Sequence, residues 1–223
     1  MRPVTKLVLA PHADDEVLGL GGSIARWARE GHPVHVVVAT RGYPPVWSPD
    51  EEAACRAEAL EAHARLGVAS ARFLDLPAAE LDTLMHRELN RHLLDAVRRL
   101  APEELYLPFL GDLHRDHQLV AQSALVAARP SHSGYPRRLY AYETLSETNW
   151  NAPSLTPGFI PNHFVDISGT LEEKLGAFAA FRSQVKAPPH ERSLEALRAL
   201  AVLRGATVGL AAAEAFVTIR TVA

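Results

Sequence analysis

Residues 6–16 read KLVLAPHADDE, an apolar run that stops abruptly at a histidine and three carboxylates. Leu7, Val8 and Leu9 suit a short strand buried on both faces, and residues 16–30 continue with apolar positions at helical spacing. This strand-then-helix unit recurs along the chain. Strand-like runs occupy 34–40, 71–75, 104–108 and 138–142, and helical patterns fill 50–66, 82–100 and 118–128. Two later strands, 163–167 and 216–221, flank helices at 171–183 and 194–205. Gly31 and Gly67 stand where helix C-termini favour a residue able to take positive φ. Repeated β-then-α units predict the α/β class: a three-layer α/β/α, Rossmann-like domain around a mostly parallel sheet. No repeat, low-complexity segment or linker divides the chain, so residues 1–223 are expected to form a single domain.

Composition narrows the function. A hydrophobic fraction of 48% and a charged fraction of 22% are those of an ordinary soluble protein. A net charge of -3 argues against nucleic acid as the main partner, because phosphate binding needs a basic face. No apolar run approaches the roughly 20 residues needed to span a bilayer, so membrane insertion is not expected. Charge follows the first apolar run at once, unlike a signal peptide. The one cysteine, Cys55, excludes an internal disulfide framework, and a cytoplasmic location is expected.

The chemistry lies in two clusters. One is Pro11-His12-Ala13-Asp14-Asp15-Glu16, directly after the first strand; the other is His114-Arg115-Asp116-His117, shortly after the strand at 104–108. In an open parallel sheet, residues beyond strand C-termini gather along one edge, so the two clusters can meet. Imidazole and carboxylate together suit zinc, and also iron or manganese. Three protein ligands leave a fourth position for water. Neighbouring carboxylates diverge, so one can ligate while the other takes a proton from that water. His114 and His117, three apart at a helix start, can share one face. Only one is needed as a ligand, leaving the other to stabilise an oxyanion or protonate a leaving amine, with Asp116 orienting it. The bland alternative is that these carboxylates merely cap helix N-termini. Two such clusters at strand ends favour a site.

Gly19-Leu20-Gly21-Gly22 lacks the spacing of a dinucleotide fingerprint, since Ile24 stands at the third glycine position and the strand ends about nine residues earlier. These glycines are expected to let a helix pack closely on the sheet. Ser23 falls inside a helical pattern, not at a nucleophile elbow. His86, His92, His132, His163 and His190 are expected in surface or satisfied roles, Cys55 in packing, and Trp27 and Phe181 in the core. Residues 143–162 lack periodicity and are expected to form a functional loop, anchored by Trp150, Leu155, Phe159 and Ile160.

The clusters resemble the LmbE-like or PIG-L-like zinc-dependent N-deacetylases, whose motifs read PHPDDE and HPDH where this chain has PHADDE and HRDH. Each departure replaces a proline that supplies no ligand. The resemblance continues through Thr40-Arg41-Gly42, Arg56-Ala57-Glu58-Ala59, Leu66-Gly67-Val68, Phe164-Val165-Asp166-Ile167-Ser168 with Lys174 and Ser183-Gln184, and Ala213-Glu214-Ala215-Phe216. It implies His12, Asp15 and His117 as ligands of Zn2+, Asp14 as general base, and His114, with Asp116 behind it, as oxyanion stabiliser or general acid. Arg56 corresponds to a basic residue that reaches substrate. The implied activity is hydrolytic removal of an N-acetyl group from an amino sugar or its conjugate, on which Tyr43, Trp47 and Trp150 could stack. Alternatives are an amidase acting on a thiol conjugate or other N-acyl metabolite, and a non-catalytic metal-binding module. Relatives of this kind often assemble as trimers or hexamers.

Overall fold

The computed structural model describes residues 2–131 and 133–223, so His132 lies outside the described residues. Its central strand is β1 (Lys6–Ala10), buried throughout. Leu7 and Leu9 face one core layer while Val8 and Ala10 face the other, which is why the run shows no polar alternation. β1 pairs in parallel with β2 (Val34–Arg41) and with β4 (Glu104–Pro108). The remaining strands are β3 (Ser70–Pro77), β5 (Arg138–Tyr142), β6 (His163–Asp166) and β7 (Ala213–Thr221). The seven stand in the order β3-β2-β1-β4-β5-β7-β6, with only β7 antiparallel to its neighbours β5 and β6. Chain progression reverses between β1 and β4, so the C-terminal ends of those two strands flank a topological switch point.

Helices α1 (Asp15–Arg29), α2 (Pro49–Leu66), α5 (Leu171–Phe178) and α6 (Leu194–Ala206) contribute to one core layer. Helices α3 (His86–Leu100) and α4 (Arg115–Ala127) pack against the other face. The expected three-layer α/β/α architecture is therefore present. The glycines of α1 serve close packing: a Cβ on Gly19 would lie 2.4 Å from the Tyr142 ring, and one on Gly22 would lie 2.8 Å from Ile167. Lys174 Nζ donates to Leu18 O (2.8 Å) and to the Glu214 carboxylate, which also accepts Gly22 N–H (3.0 Å) and Ser23 N–H (2.7 Å). This buried clamp ties α1 to α5 and β7, and removing one partner would leave a buried charge uncompensated. It fixes where the loop between β1 and α1 emerges.

Three expected helix boundaries shift by three residues or more. The helix at 82–100 starts at His86 instead, because a 3-10 turn at Leu81–Thr83 closes on itself through Thr83 N–H and Oγ1 to Glu80 O, and Leu84 is then extended. The helix at 118–128 starts earlier, at Arg115, with His114 as its N-cap. The helix at 171–183 ends at Phe178, where tighter turns bring both Phe178 and Phe181 into the core. Residues 143–162 are anchored differently from expectation. Phe159 packs edge-on against Phe109 (5.2 Å), but Trp150, Leu155 and Ile160 are exposed. Polar contacts hold the loop: Thr144 N–H donates to Thr148 Oγ1 (2.8 Å), which donates to Asp112 Oδ1 (2.6 Å). Among the described residues, no helix is long and apolar enough to cross a membrane.

Candidate metal centre

The turn after β1 is built to present side chains. Thr40 at the end of β2 braces it, with both N–H (3.0 Å) and Oγ1 (2.9 Å) donating to Pro11 O. Asp14 then adopts φ 146° and ψ -26°, a conformation that strains an L-residue. Its carbonyl accepts Val17 and Leu18 N–H (both 2.9 Å), so it starts α1. Its side chain, however, makes no capping hydrogen bond. The bland capping alternative fails at this residue. Asp14 N–H donates to Glu16 Oε2 (3.2 Å), and the other Glu16 oxygen meets His63 Nε2 (2.7 Å) in the buried layer beneath. Asp15, fully buried, accepts His12 N–H on Oδ2 (2.8 Å) and leaves Oδ1 without a partner.

The turn after β4 supplies the other half. His117 is fully buried, donates from Nδ1 to Asp112 Oδ2 (2.9 Å), and holds Nε2 3.2 Å from Asp15 Oδ2 without hydrogen-bonding it. His12 is arranged similarly. Its Nε2 meets Asp116 Oδ2 (3.1 Å) while Nδ1 faces Asp15 Oδ2 (3.3 Å). Each imidazole thus has a carboxylate on the nitrogen turned away from Asp15, the outer contact that orients metal-binding histidines. Asp116 departs from expectation here. Its carboxylate accepts Ala79 N–H (2.7 Å) and serves His12, whereas only its backbone N–H reaches His114, donating to Nδ1 (3.1 Å). The three rings converge, with centroids 4.6 to 5.6 Å apart.

One ligand atom each from His12, Asp15 and His117 lies within 4.8 Å of the others, as do atoms of His12, His114 and Asp116. The first group contains two buried atoms without hydrogen-bond partners, Asp15 Oδ1 and His117 Nε2, a donor set that fits a cation. Protonation tells the same story. Burial works against charge on His12, but hydrogen bonds to Asp116 and Asp15 raise it to about 9. His117 rises to about 10, with burial again outweighed, here by Asp15 and Asp112. Burial would lift Asp15, yet the two imidazoles hold it well below the usual carboxylate range. Protonated imidazoles thus balance these buried carboxylates. Burial lifts Asp14 to about 7 against the pull of Arg192, and burial with the His12 charge lowers His114 to about 4.

Above this cluster lies a cavity of about 380 Å³, walled by segments that follow the C-terminal ends of β1 to β5 and by Ser183, Gln184 and Arg192. Trp47 lines it as expected of a substrate contact; Arg56, Tyr43 and Trp150 do not. Arg56 is held by the Asp75 carboxylate and lies over the Phe73 ring (4.4 Å), and Tyr43 Oη donates to Asp75 O (2.7 Å). Trp150 Nε1 donates to Glu191 Oε1 (2.8 Å) on the surface. Sequence reasoning missed three residues. Asp112 orients His117, Glu147 lines the cavity, and Arg192 Nη1 reaches Asp14 Oδ2 (3.3 Å) and Gln184 Oε1 (2.8 Å). Ser183-Gln184 was a signal for the last, since Ser183 Oγ anchors that wall to Glu58 of α2 (2.7 Å).

Over 220 residues the chain is 30% identical to diacetylchitobiose deacetylase of Thermococcus kodakarensis, covering 93% of this chain and 80% of that protein. The conserved protein TT1542 from Thermus thermophilus superposes with a TM-score of 0.81 at 28% identity, covering 99% of this chain and 96% of that one. The N,N'-diacetylchitobiose deacetylase of Pyrococcus horikoshii superposes with a TM-score of 0.78 at 25% identity, over 98% of this chain and 84% of that one. Residues 7–128, which hold both clusters, match the model of the PIG-L family, described as GlcNAc-PI de-N-acetylase, and the chain belongs to that family.

Proposed function

We propose that this protein is a metal-dependent hydrolase that removes the N-acetyl group from an amino sugar or amino-sugar conjugate. The observation that carries the reading is the pair of orphaned atoms, Asp15 Oδ1 and His117 Nε2, buried beside an Asp14 carboxylate that caps nothing. His12, Asp15 and His117 would hold the ion, and two imidazoles with one carboxylate suit zinc. A divalent ion there supplies Lewis acidity that polarises the acetamide carbonyl and acidifies the attacking water.

The chain's own groups handle the protons. Asp14, raised to about 7 in the metal-free protein, is matched to accept a proton from water at neutral pH and to pass it to the departing amine. Arg192 opposes a wider excursion of that carboxyl group by pairing with Oδ2. His114 Nδ1 accepts the Asp116 N–H, so the proton of a neutral ring sits on Nε2. Burial holds His114 down to about 4, which suits a neutral ring that donates Nε2–H to the oxyanion. Trp47 offers an aromatic face for the sugar ring in the cavity wall.

The test is acetate release from N-acetylglucosamine, diacetylchitobiose and related N-acetyl glycosides after chelation and after return of zinc, iron or manganese. Activity lost to chelation and restored by zinc is expected. Stoichiometric metal with no acetate released across the panel would contradict the proposal and favour a binding module.

A further inference from the structure

Beyond the metal cluster, the cavity wall is formed by the loop after β2 and the first turns of α2. Most charged groups there already have partners. Glu51 closes the α2 capping box, accepting Ser48 N–H and Oγ–H (both 2.8 Å). Arg192 is committed to Asp14, Gln184 and Ser146, and the Arg41 guanidinium lies over the Tyr43 ring (4.4 Å). Glu52 differs. It lines the cavity half-buried, and among the described residues its carboxylate accepts no hydrogen bond and has no cation within 4.0 Å.

Glu52 also packs against the loop after β2. A Cβ on Gly42 would lie 2.5 Å from Glu52 Oε1 and 2.6 Å from the Trp47 indole, so both side chains rest on a bare Cα. The result is a carboxylate beside an aromatic face. One turn further along α2, Cys55 Sγ approaches Ala13 O (4.0 Å), next to Asp14. Glu52 precedes Cys55 by three residues, so it stands about 4.5 Å along the helix from the end of the cavity nearest Asp14, roughly one sugar ring. A neutral ligand filling this space would strip water from Glu52 and return nothing for it. An ammonium would compensate the carboxylate and sit against the Trp47 face.

We propose that Glu52 and Trp47 select substrates carrying a protonated primary amine about one sugar ring from the acetamide, such as a partly deacetylated or otherwise amine-bearing amino sugar. This rests on the deacetylase reading above. An ion pair at a half-exposed site together with a cation–π contact corresponds to about a tenfold preference.

The experiment uses three N-acetylglucosamine glycosides of similar size with 2-aminoethyl, 2-hydroxyethyl and carboxymethyl aglycones, which carry positive, zero and negative charge. The zinc-loaded protein should favour the aminoethyl glycoside over the hydroxyethyl one by about tenfold in kcat/KM, mainly through KM, with the carboxymethyl glycoside last. Glu52→Gln should bring the three within about twofold of one another, and Glu52→Lys should invert the order. Calorimetric affinities of the same glycosides for zinc-loaded Asp14→Asn protein, with and without Glu52→Gln, read the preference independently of turnover. Charge-ordered binding without acetate release from the wild type would support the subsite and overturn the deacetylase reading alone. Equal kcat/KM and equal affinities for the three, or an order that survives Glu52→Gln, would overturn the subsite.

Discussion

Asp14 should be a site where glycine is more stable than alanine. Its φ of 146° is imposed from three sides: two N–H groups of α1 on its carbonyl, and Glu16 on its own N–H. An L-residue held there stores about 1–3 kcal/mol. Asp14→Gly removes the Cβ responsible, and Asp14→Ala keeps it. Both delete the carboxylate, so the lost Arg192 contact and the relieved burial of charge cancel in the comparison. Glycine's greater freedom in the unfolded chain costs about 0.5–1 kcal/mol. The balance leaves Asp14→Gly more stable than Asp14→Ala by about 1 kcal/mol, within a range of about 0–2.5 kcal/mol, a few degrees in melting temperature for a chain of this size. Urea unfolding of both metal-free variants at neutral pH, with matching m values, measures it. An alanine variant as stable as the glycine variant, or more so, would refute the claim that the backbone at Asp14 is strained.

Other consequences are open to direct measurement. Glu16→Ala deletes the acceptor for Asp14 N–H and should lower kcat by about a hundredfold while KM and zinc content change little, since a base displaced by about 1 Å loses that much; His63→Ala should lose less, and His63→Gln should recover part of that loss. Zinc must displace protons held by His12 at about 9 and His117 at about 10, so binding near pH 7 should release about two protons and tighten as pH rises toward 9. Calorimetry in buffers of differing ionisation enthalpy reads that number, and zero release would contradict it. Burial, reinforced by Asp14 and nearby carboxylates, pushes the Cys55 thiol up to about 12, so alkylation at pH 8 should be at least about a hundredfold slower than that of a free thiol. Ordinary reactivity would show that the wall around Cys55 is open.

What was legible in the sequence follows from how local each determinant is. β1, β4 and β5 were read to the residue because strands buried on both faces are written as apolar runs. The clusters holding His12, Asp14, Asp15, His114 and His117 are visible in the sequence because one follows β1 directly and the other follows β4 within nine residues. Asp112 was not, since nothing in a lone loop aspartate signals that His117 will turn its Nδ1 toward it. Arg192 lies in a stretch without periodicity, and its approach to Asp14 depends on how residues 183–193 fold back over the cleft. Asp116 meets a different histidine from the one its sequence position suggests, for a comparable reason. Sequence adjacency pointed to His114, whereas the first turn of α4 carries the carboxylate toward His12 and the Ala79 N–H. Arg56 and Tyr43 were recognised by type and position in the chain, but Asp75 on β3 engages both away from the cavity.

The central claim is that one carboxylate moves the proton while its neighbour helps hold the metal, and Asp14→Asn separates the two roles. Zinc content and acetate release should be measured together on wild type and variant, using a glycoside that the wild type hydrolyses. Both proteins should hold one zinc per chain and bind substrate equally, with turnover lowered in the variant by at least about a hundredfold, at the scale of a lost general base. An Asp14→Asn protein that hydrolyses its substrate at the wild-type rate would contradict the account. So would one that loses zinc in proportion to activity, because Asp14 would then be a ligand and not the base.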